Sequence, residues 1–206
     1  IRGHHSAHPT VIHPSSMLSI HHYPLFVMTC VLLNLTPGQD TMFIIGQSLT
    51  GGQRSGVAAA LGISLGSTGH TLAAALGLSA ILAASPTAFR VVEWAGAAYL
   101  LFLGARLLVA KDTPARGPTD RFHSSGTWPS FRQGVITNLL NPKVALFFLA
   151  FLPQFIDASA SGRTVSFLAL GGTFVCTGLV WCTVLALAAA RLQSFFLNHP
   201  GAHRAL

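Results

Sequence analysis

Two apolar stretches of the chain are each interrupted by a proline beside polar residues, at about equivalent places in its two halves. The first interruption reads LTPGQD, Leu35 to Asp40, and the second LLNPK, Leu139 to Lys143. Proline has no backbone N–H and its ring collides with the preceding turn, so each interruption frees carbonyl groups within sequence otherwise apolar enough for a bilayer. Irregular backbone is tolerated at membrane depth only where it is buried in protein or lines a cavity. A matched pair of interrupted apolar segments is the best pointer a sequence offers to the substrate site of a secondary transporter.

The rest of the chain agrees with a helical membrane protein. Charged residues make up 8% of the 206, against roughly a quarter in ordinary globular proteins, and the mean hydropathy is +0.58. No Lys, Arg, Asp or Glu occurs between Arg54 and Arg90 or between Arg163 and Arg191, and each gap exceeds the ~20 residues a helix needs to cross a bilayer. The expected fold class is all-α and polytopic, with five visible transmembrane spans of an expected six, arranged as two three-span repeats. The formal charge of +7 comes from 12 basic and 5 acidic residues. Those basic residues sit in short connections, where they set topology, and not as a patch on a soluble face, so nucleic acid is excluded as a partner and membrane lipid is expected. Cys30, Cys176 and Cys182 lie inside apolar runs without a Cys-x-x-Cys. They read as small apolar residues, and neither a disulfide framework nor a metal site follows.

Residues 1–22 hold six of the ten histidines and show no apolar periodicity. A His-rich tract can bind metal, but Met17 stands just before the first apolar run, so 1–22 reads as a non-native or disordered leader. The first span covers about 23–49 with its break inside, and Gly51 to Ser55 makes a turn. A second span runs over about 56–84 with Gly62, Gly66 and Gly69 at spacings that let helices approach closely. Ser85-Pro86 closes it, and a third span follows at about 88–109. Residues 110–130 are polar, then come spans at about 131–155 and 164–190. The halves are therefore 23–109 and 131–206, joined by a loop at 110–130. Gly62 and Thr68-Gly69 repeat the spacing of Gly171 and Thr177-Gly178, a weak internal similarity. The second half has one span fewer than the first, so the chain reads as truncated before a sixth. Arg106, Lys111, Arg116, Arg121 and Arg132 make the central loop cytoplasmic. Five simple crossings then put Met17 outside, and a re-entrant first segment reverses that.

Four stretches together resemble one family. Thr36-Pro37-Gly38, SLTGGQRSGVAAALGISLG (Ser48 to Gly66), WAGAAYLLFLGARLL (Trp94 to Leu108) and FRQGVITNLLNPKVALFFLAFLPQF (Phe131 to Phe155) are similar to the LysE/RhtB exporters of the bacterial inner membrane. The resemblance runs from about Leu25 to Leu192. It implies six spans, a secondary transporter driven by proton or membrane potential, no cofactor, and export of amino acids or derivatives such as lysine, threonine, homoserine and homoserine lactone. One departure bears on the substrate: the family reads Thr-Pro-Gly-Pro, and here Gln39 replaces the second proline.

The candidate substrate-binding residues are Thr36, Pro37, Gly38, Asp40, Asn138, Asn141, Pro142 and Lys143, around a small zwitterion. An intramembrane carboxylate such as Asp40 is costly and by default marks an ion or substrate path. It can bind an ammonium or carry a proton, or merely favour a helix start. Lys143 can receive the substrate carboxylate, pair with Asp40, or snorkel to a headgroup. Thr36, Gly38, Asn138 and Asn141 offer hydrogen bonds to the substrate or to backbone freed by Pro37 and Pro142. His70, mid-span, is with Asp40 a proton-relay candidate, or a histidine bonded to a neighbouring helix. Glu93 and Arg106 read as interfacial anchors. With no phosphate loop, no His-Glu-x-x-His and five acids in all, the chain reads as no enzyme. A channel or metal-ion exporter, or a thiol–disulfide carrier, are the alternatives, and a homodimer is open.

Overall fold

The computed structural model describes residues 20–109, 126–157 and 162–198. Within them every element is helical except an isolated antiparallel bridge between Ile20 and Ile156. The order is α1 (Tyr23–Leu35), α2 (Gln39–Ala73), a widened π turn (Ala74–Leu78), α3 (Ser79–Ala84), α4 (Pro86–Val109), α5 (Thr127–Leu139) and α6 (Pro142–Leu146), then a π turn (Phe147–Phe151), a 3-10 turn (Leu152–Phe155) and α7 (Arg163–Asn198). Residues 1–19 of the expected leader and 110–125 of the polar loop lie outside the described residues. Ile20 packs against the main apolar core, and the His21 N–H donates to the Phe155 carbonyl at 2.9 Å. Helix α5 starts at Thr127, ahead of the expected span start.

Both proline breaks are built alike. The residue before a proline is pushed into extended backbone, and Thr36 (ψ 117°) and Asn141 (ψ 108°) both adopt it. Helix then resumes, at Gln39 after an extended Gly38 and at Pro142 with proline in the first turn, where its missing donor costs nothing. The Asn141 side chain caps α6 by accepting the Lys143 backbone N–H at 3.0 Å. The second broken segment, Thr127–Leu139 followed by Pro142–Phe155, bends by 46°.

Helix α2 doubles back on itself at Gly52, whose φ of 72° and ψ of −172° suit glycine and strain residues that carry a Cβ. A Cβ added at Gly56 would lie 3.1 Å from the Ser48 Cβ. Phe43 and Ile44 share a buried cluster with Ala59, Ala60 and Ile63, though Phe43 and Ala60 would stand about 25 Å apart on a straight helix. The turn expected at Gly51 to Ser55 is thus a helical hairpin. By length and composition the helices Gln39–Ile81 and Arg163–Phe195 suffice to cross a membrane, and the bent pair makes a third. The hairpin means that the first of these is two antiparallel arms, 39–51 and 53–81.

Pairings along the helices set their directions. Gln47 meets Ser130 and Asp40 meets Asn138, so arm 39–51 runs antiparallel to α5. Leu33 meets Lys143, and Phe26 meets Phe147 and Phe155, so α1 runs antiparallel to the segment after Pro142. Helix α7 lies parallel to the first broken segment, through Tyr23–Thr173 at 3.0 Å, Asn34–Thr177 at 3.4 Å and Gln193 on the Leu49 carbonyl. The second arm of α2 lies parallel to α5, with Gly134 against Ala59 and Gly66 against Asn138. Each half's following helix therefore packs along the other half's broken segment. Leu65, Leu72, Val180 and Val184 point outward and exposed, which suits lipid and not water.

Glycine carries the tightest of these contacts. A Cβ at Gly62 would press on the Phe131 carbonyl and lie 3.1 Å from the Val135 nitrogen, whereas one at Gly172 meets nothing within 4 Å. Backbone cannot rotate aside as a side chain can, so Gly62→Val should cost about 1–3 kcal/mol or more through overpacking. The expected result is a melting temperature several degrees lower for detergent-extracted Gly62→Val, with Gly172→Val close to the parent.

Candidate functional site

The two breaks meet at the middle of the bundle, and each proline leaves a specific carbonyl without its helical donor. A residue's N–H normally serves the carbonyl four positions earlier, so Pro37 orphans Leu33 and Pro142 orphans Asn138. Lys143 Nζ donates to the Leu33 carbonyl at 3.1 Å and to the Thr36 carbonyl at 2.9 Å. His70 Nε2 lies 3.1 Å from the Asn138 carbonyl, an arrangement that makes this nitrogen the donor. The Asn141 N–H shares the same acceptor at 3.0 Å. Freed backbone in each half is thus satisfied by a basic side chain from another segment, as an apolar medium demands.

Asn138 links three segments. Its Nδ2 donates to Asp40 Oδ2 at 2.9 Å, and its Oδ1 accepts from the Ser67 hydroxyl at 3.1 Å. Its side chain is buried in the space left by Gly66, where a Cβ would come within 2.8 Å of the Asn138 Cβ. Asp40 Oδ1 is buried without a close hydrogen bond, and the Asn141 side chain, whose Nδ2 is also buried and unpaired, stands beside this carboxylate. Lys143 makes no direct salt bridge to Asp40, its ammonium being turned onto the carbonyls of Leu33 and Thr36, but the two charges face the same cavity and act on one another.

Asp40, Asn138 and Lys143 face a cavity of about 30 Å³ between α1, both arms of α2, α5, α6 and α7, room for about one water molecule. Ser64, Ser67 and Asn34 add polar groups, and Leu33, Ile63, Val144, Phe174 and Leu179 form an apolar wall. Trp181 also lines it, and its buried Nε1–H has no partner. One unused acceptor and one unused donor therefore border the same small space.

The other expected residues take supporting places. The Thr36 hydroxyl bonds its own helix at the Leu32 carbonyl, 2.8 Å away, so only its carbonyl reaches Lys143. Gly38 makes room for that lysine, whose Nζ would stand 3.2 Å from an added Cβ. Pro37 and Pro142 are exposed, and Asn141 is a buried cap. His70 stacks on Phe148 at 5.8 Å and opens on a different groove, beside Ala145 and Leu149. The spelling Gly62-Ile63-Ser64-Leu65-Gly66 matches a hydrolase nucleophile elbow, but it lies within the helix and the Ser64 hydroxyl bonds the Ala60 carbonyl at 3.0 Å. Among the described residues no three of His, Cys, Asp and Glu gather as a metal site.

Sequence comparison bears on what such a site does. Residues 31–205 match the family described as LysE type translocator. A leucine efflux protein of Salmonella choleraesuis is 32% identical over 169 residues, 82% of this chain and 79% of that protein. A membrane protein of Vibrio cholerae, described as uncharacterized, is 34% identical over 158 residues, 77% of this chain and 76% of its own. A third relative, from Pseudomonas aeruginosa and described likewise, is 30% identical over 182 residues, 87% and 84% respectively. No solved structure matches the chain.

Proposed function

The chain belongs to the LysE type translocator family, and on that premise we propose that it exports a neutral aliphatic amino acid of the leucine type across a bacterial cytoplasmic membrane. The observation that carries the substrate class is the cavity: one free carboxylate oxygen on Asp40 beside an apolar wall of Leu33, Ile63, Val144, Phe174 and Leu179. Asp40 Oδ1 takes the substrate ammonium. The Lys143 ammonium has three donors and uses two on backbone, which leaves one for the carboxylate. A lysine-like side chain would bring a second cation, and among the described residues Asp40 is the only carboxylate on the cavity wall. Threonine, homoserine and its lactone carry polar groups that Ser64 and Ser67 can meet, but they use less of the apolar wall. The named function of the Salmonella relative supports the same choice.

A cavity of about 30 Å³ holds no amino acid, so this conformation is closed around its centre and transport requires it to open to each side in turn. The antiparallel pairing of the two broken segments supports a pair of inverted repeats, whose rocking exposes a central site alternately. Arg54, beside Thr127, and Arg132 lie near one end of the bundle, which makes that end cytoplasmic. Asp40 also serves as the proton site, with His70 adjoining it through Asn138.

Cells fed leucine-containing or lysine-containing dipeptides test the reading. Expression of the protein should raise the efflux of leucine severalfold and leave that of lysine near the control. Lysine efflux matching leucine efflux would exclude the aliphatic site.

A further inference from the structure

The bundle is symmetric in its pairings but not in the chemistry that closes its two ends. Gln47 stands seven residues beyond Asp40 and Ser130 eight before Asn138, about 11 Å from the cavity along both helices. On the opposite side Phe26 stands seven residues before Leu33, between Phe147 and Phe155 of the paired segment, at about the same remove. One end is closed by a polar pair and the other by a cluster of phenylalanines that reaches inward from Phe26 to Phe147, four residues from Lys143.

The two closures differ in what water can do to them. The Ser130 hydroxyl lies 2.8 Å from both Gln47 Oε1 and the Gly126 carbonyl and shares its one proton between them, and both side chains are within 1% of full burial. Gln47 Nε2 and the neighbouring Ser48 hydroxyl are buried with no partner. Arriving water would satisfy these groups and replace the one hydrogen bond that parting the helices breaks. At the other end Phe26 meets Phe155 at 5.1 Å and Phe147 at 6.0 Å, and Phe147 meets Phe174 at 4.7 Å. Leu152, Phe167 and Leu170 are fully buried behind them. Water offers such surfaces nothing in return for parting them. Beyond the polar pair, at the same end, a groove carries Arg54 and Thr127.

We propose that Gln47 and Ser130 form a hydratable gate by which the central cavity opens to the cytoplasm, and that Phe26, Phe147 and Phe155 form the seal on the outer side. The assignment of sides rests on the proposed function, where the basic residues make that end cytoplasmic, and the gate chemistry does not. A reporter already sits inside: Cys182 lines the central cavity, and Cys30 and Cys176 are the other free cysteines. In the full chain carrying Cys30→Ala and Cys176→Ala, a membrane-impermeant methanethiosulfonate reagent should modify Cys182 at least fivefold faster in inverted membrane vesicles than in right-side-out vesicles. Adding Gln47→Leu with Ser130→Ala should slow modification from the cytoplasmic face at least fivefold. Phe147→Ala, with the polar pair intact, should speed modification from the outer face. Equal rates from the two faces, a faster rate from outside, no modification from either, or rates indifferent to these substitutions would overturn the gate. The labelling requires no transported substrate, so a wrong choice of amino acid would show in the efflux assay and leave these rates untouched.

Discussion

Export by Asp40→Asn should fall by at least about 10- to 100-fold, with the protein still inserted in the membrane. Asparagine keeps the volume of aspartate, and its side-chain carbonyl can still accept the Asn138 Nδ2–H that now bonds Asp40 Oδ2 at 2.9 Å. The link between the two breaks therefore survives. What is lost is the charge on Oδ1, the unpaired acceptor facing the cavity. A hydrogen bond to a charged group contributes about 1.5–3 kcal/mol, which sets the expected fall if Asp40 only binds the ammonium. If it also carries the coupling proton, the cycle stops altogether. Leucine efflux from dipeptide-fed cells, normalised to the amount of protein in the membrane fraction, measures this. Normal export by an Asp40→Asn protein would remove Asp40 from the transport path.

The breaks themselves were legible because proline acts locally. A residue with fixed φ and no donor must interrupt a helix wherever the chain goes, and an extended residue must precede it. The run Gly51-Gly52-Gln53-Arg54-Ser55 likewise announced a turn, and Gly52 alone supplies its positive φ. How the breaks are repaired is tertiary. No local rule says that Lys143 satisfies the carbonyl orphaned by Pro37, or that His70 satisfies the one orphaned by Pro142. The sequence suggested an Asp40–Lys143 pair because opposite charges in an apolar setting attract. The structure spends the ammonium on backbone, whose carbonyls are as much in need of a donor. Ser67, Asn34 and Trp181 escaped notice for a related reason. Serine is common in closely packed membrane helices and tryptophan commonly marks an interface, so only a place on the cavity wall beside Asp40 distinguishes these three.

Lys143→Gln separates two roles that one ammonium now fills. The shorter, neutral amide cannot reach both the Leu33 and the Thr36 carbonyl, at 3.1 and 2.9 Å from Nζ. Each acceptor left dry costs about 1–3 kcal/mol, so the protein should melt several degrees lower and export poorly whatever its substrate. Lys143→Arg restores the charge and the donors, but Gly38 already leaves little space, with an added Cβ only 3.2 Å from Nζ. Rescue by the larger guanidinium should therefore be partial. The substrate comparison isolates the second role. If the remaining donor of Lys143 holds a carboxylate, Lys143→Gln should depress efflux of leucine at least tenfold more than efflux of 3-methylbutylamine, the same molecule without its carboxylate. A loss of equal size for both would mean that Lys143 closes the two broken helices onto one another and takes no part in recognising what passes between them.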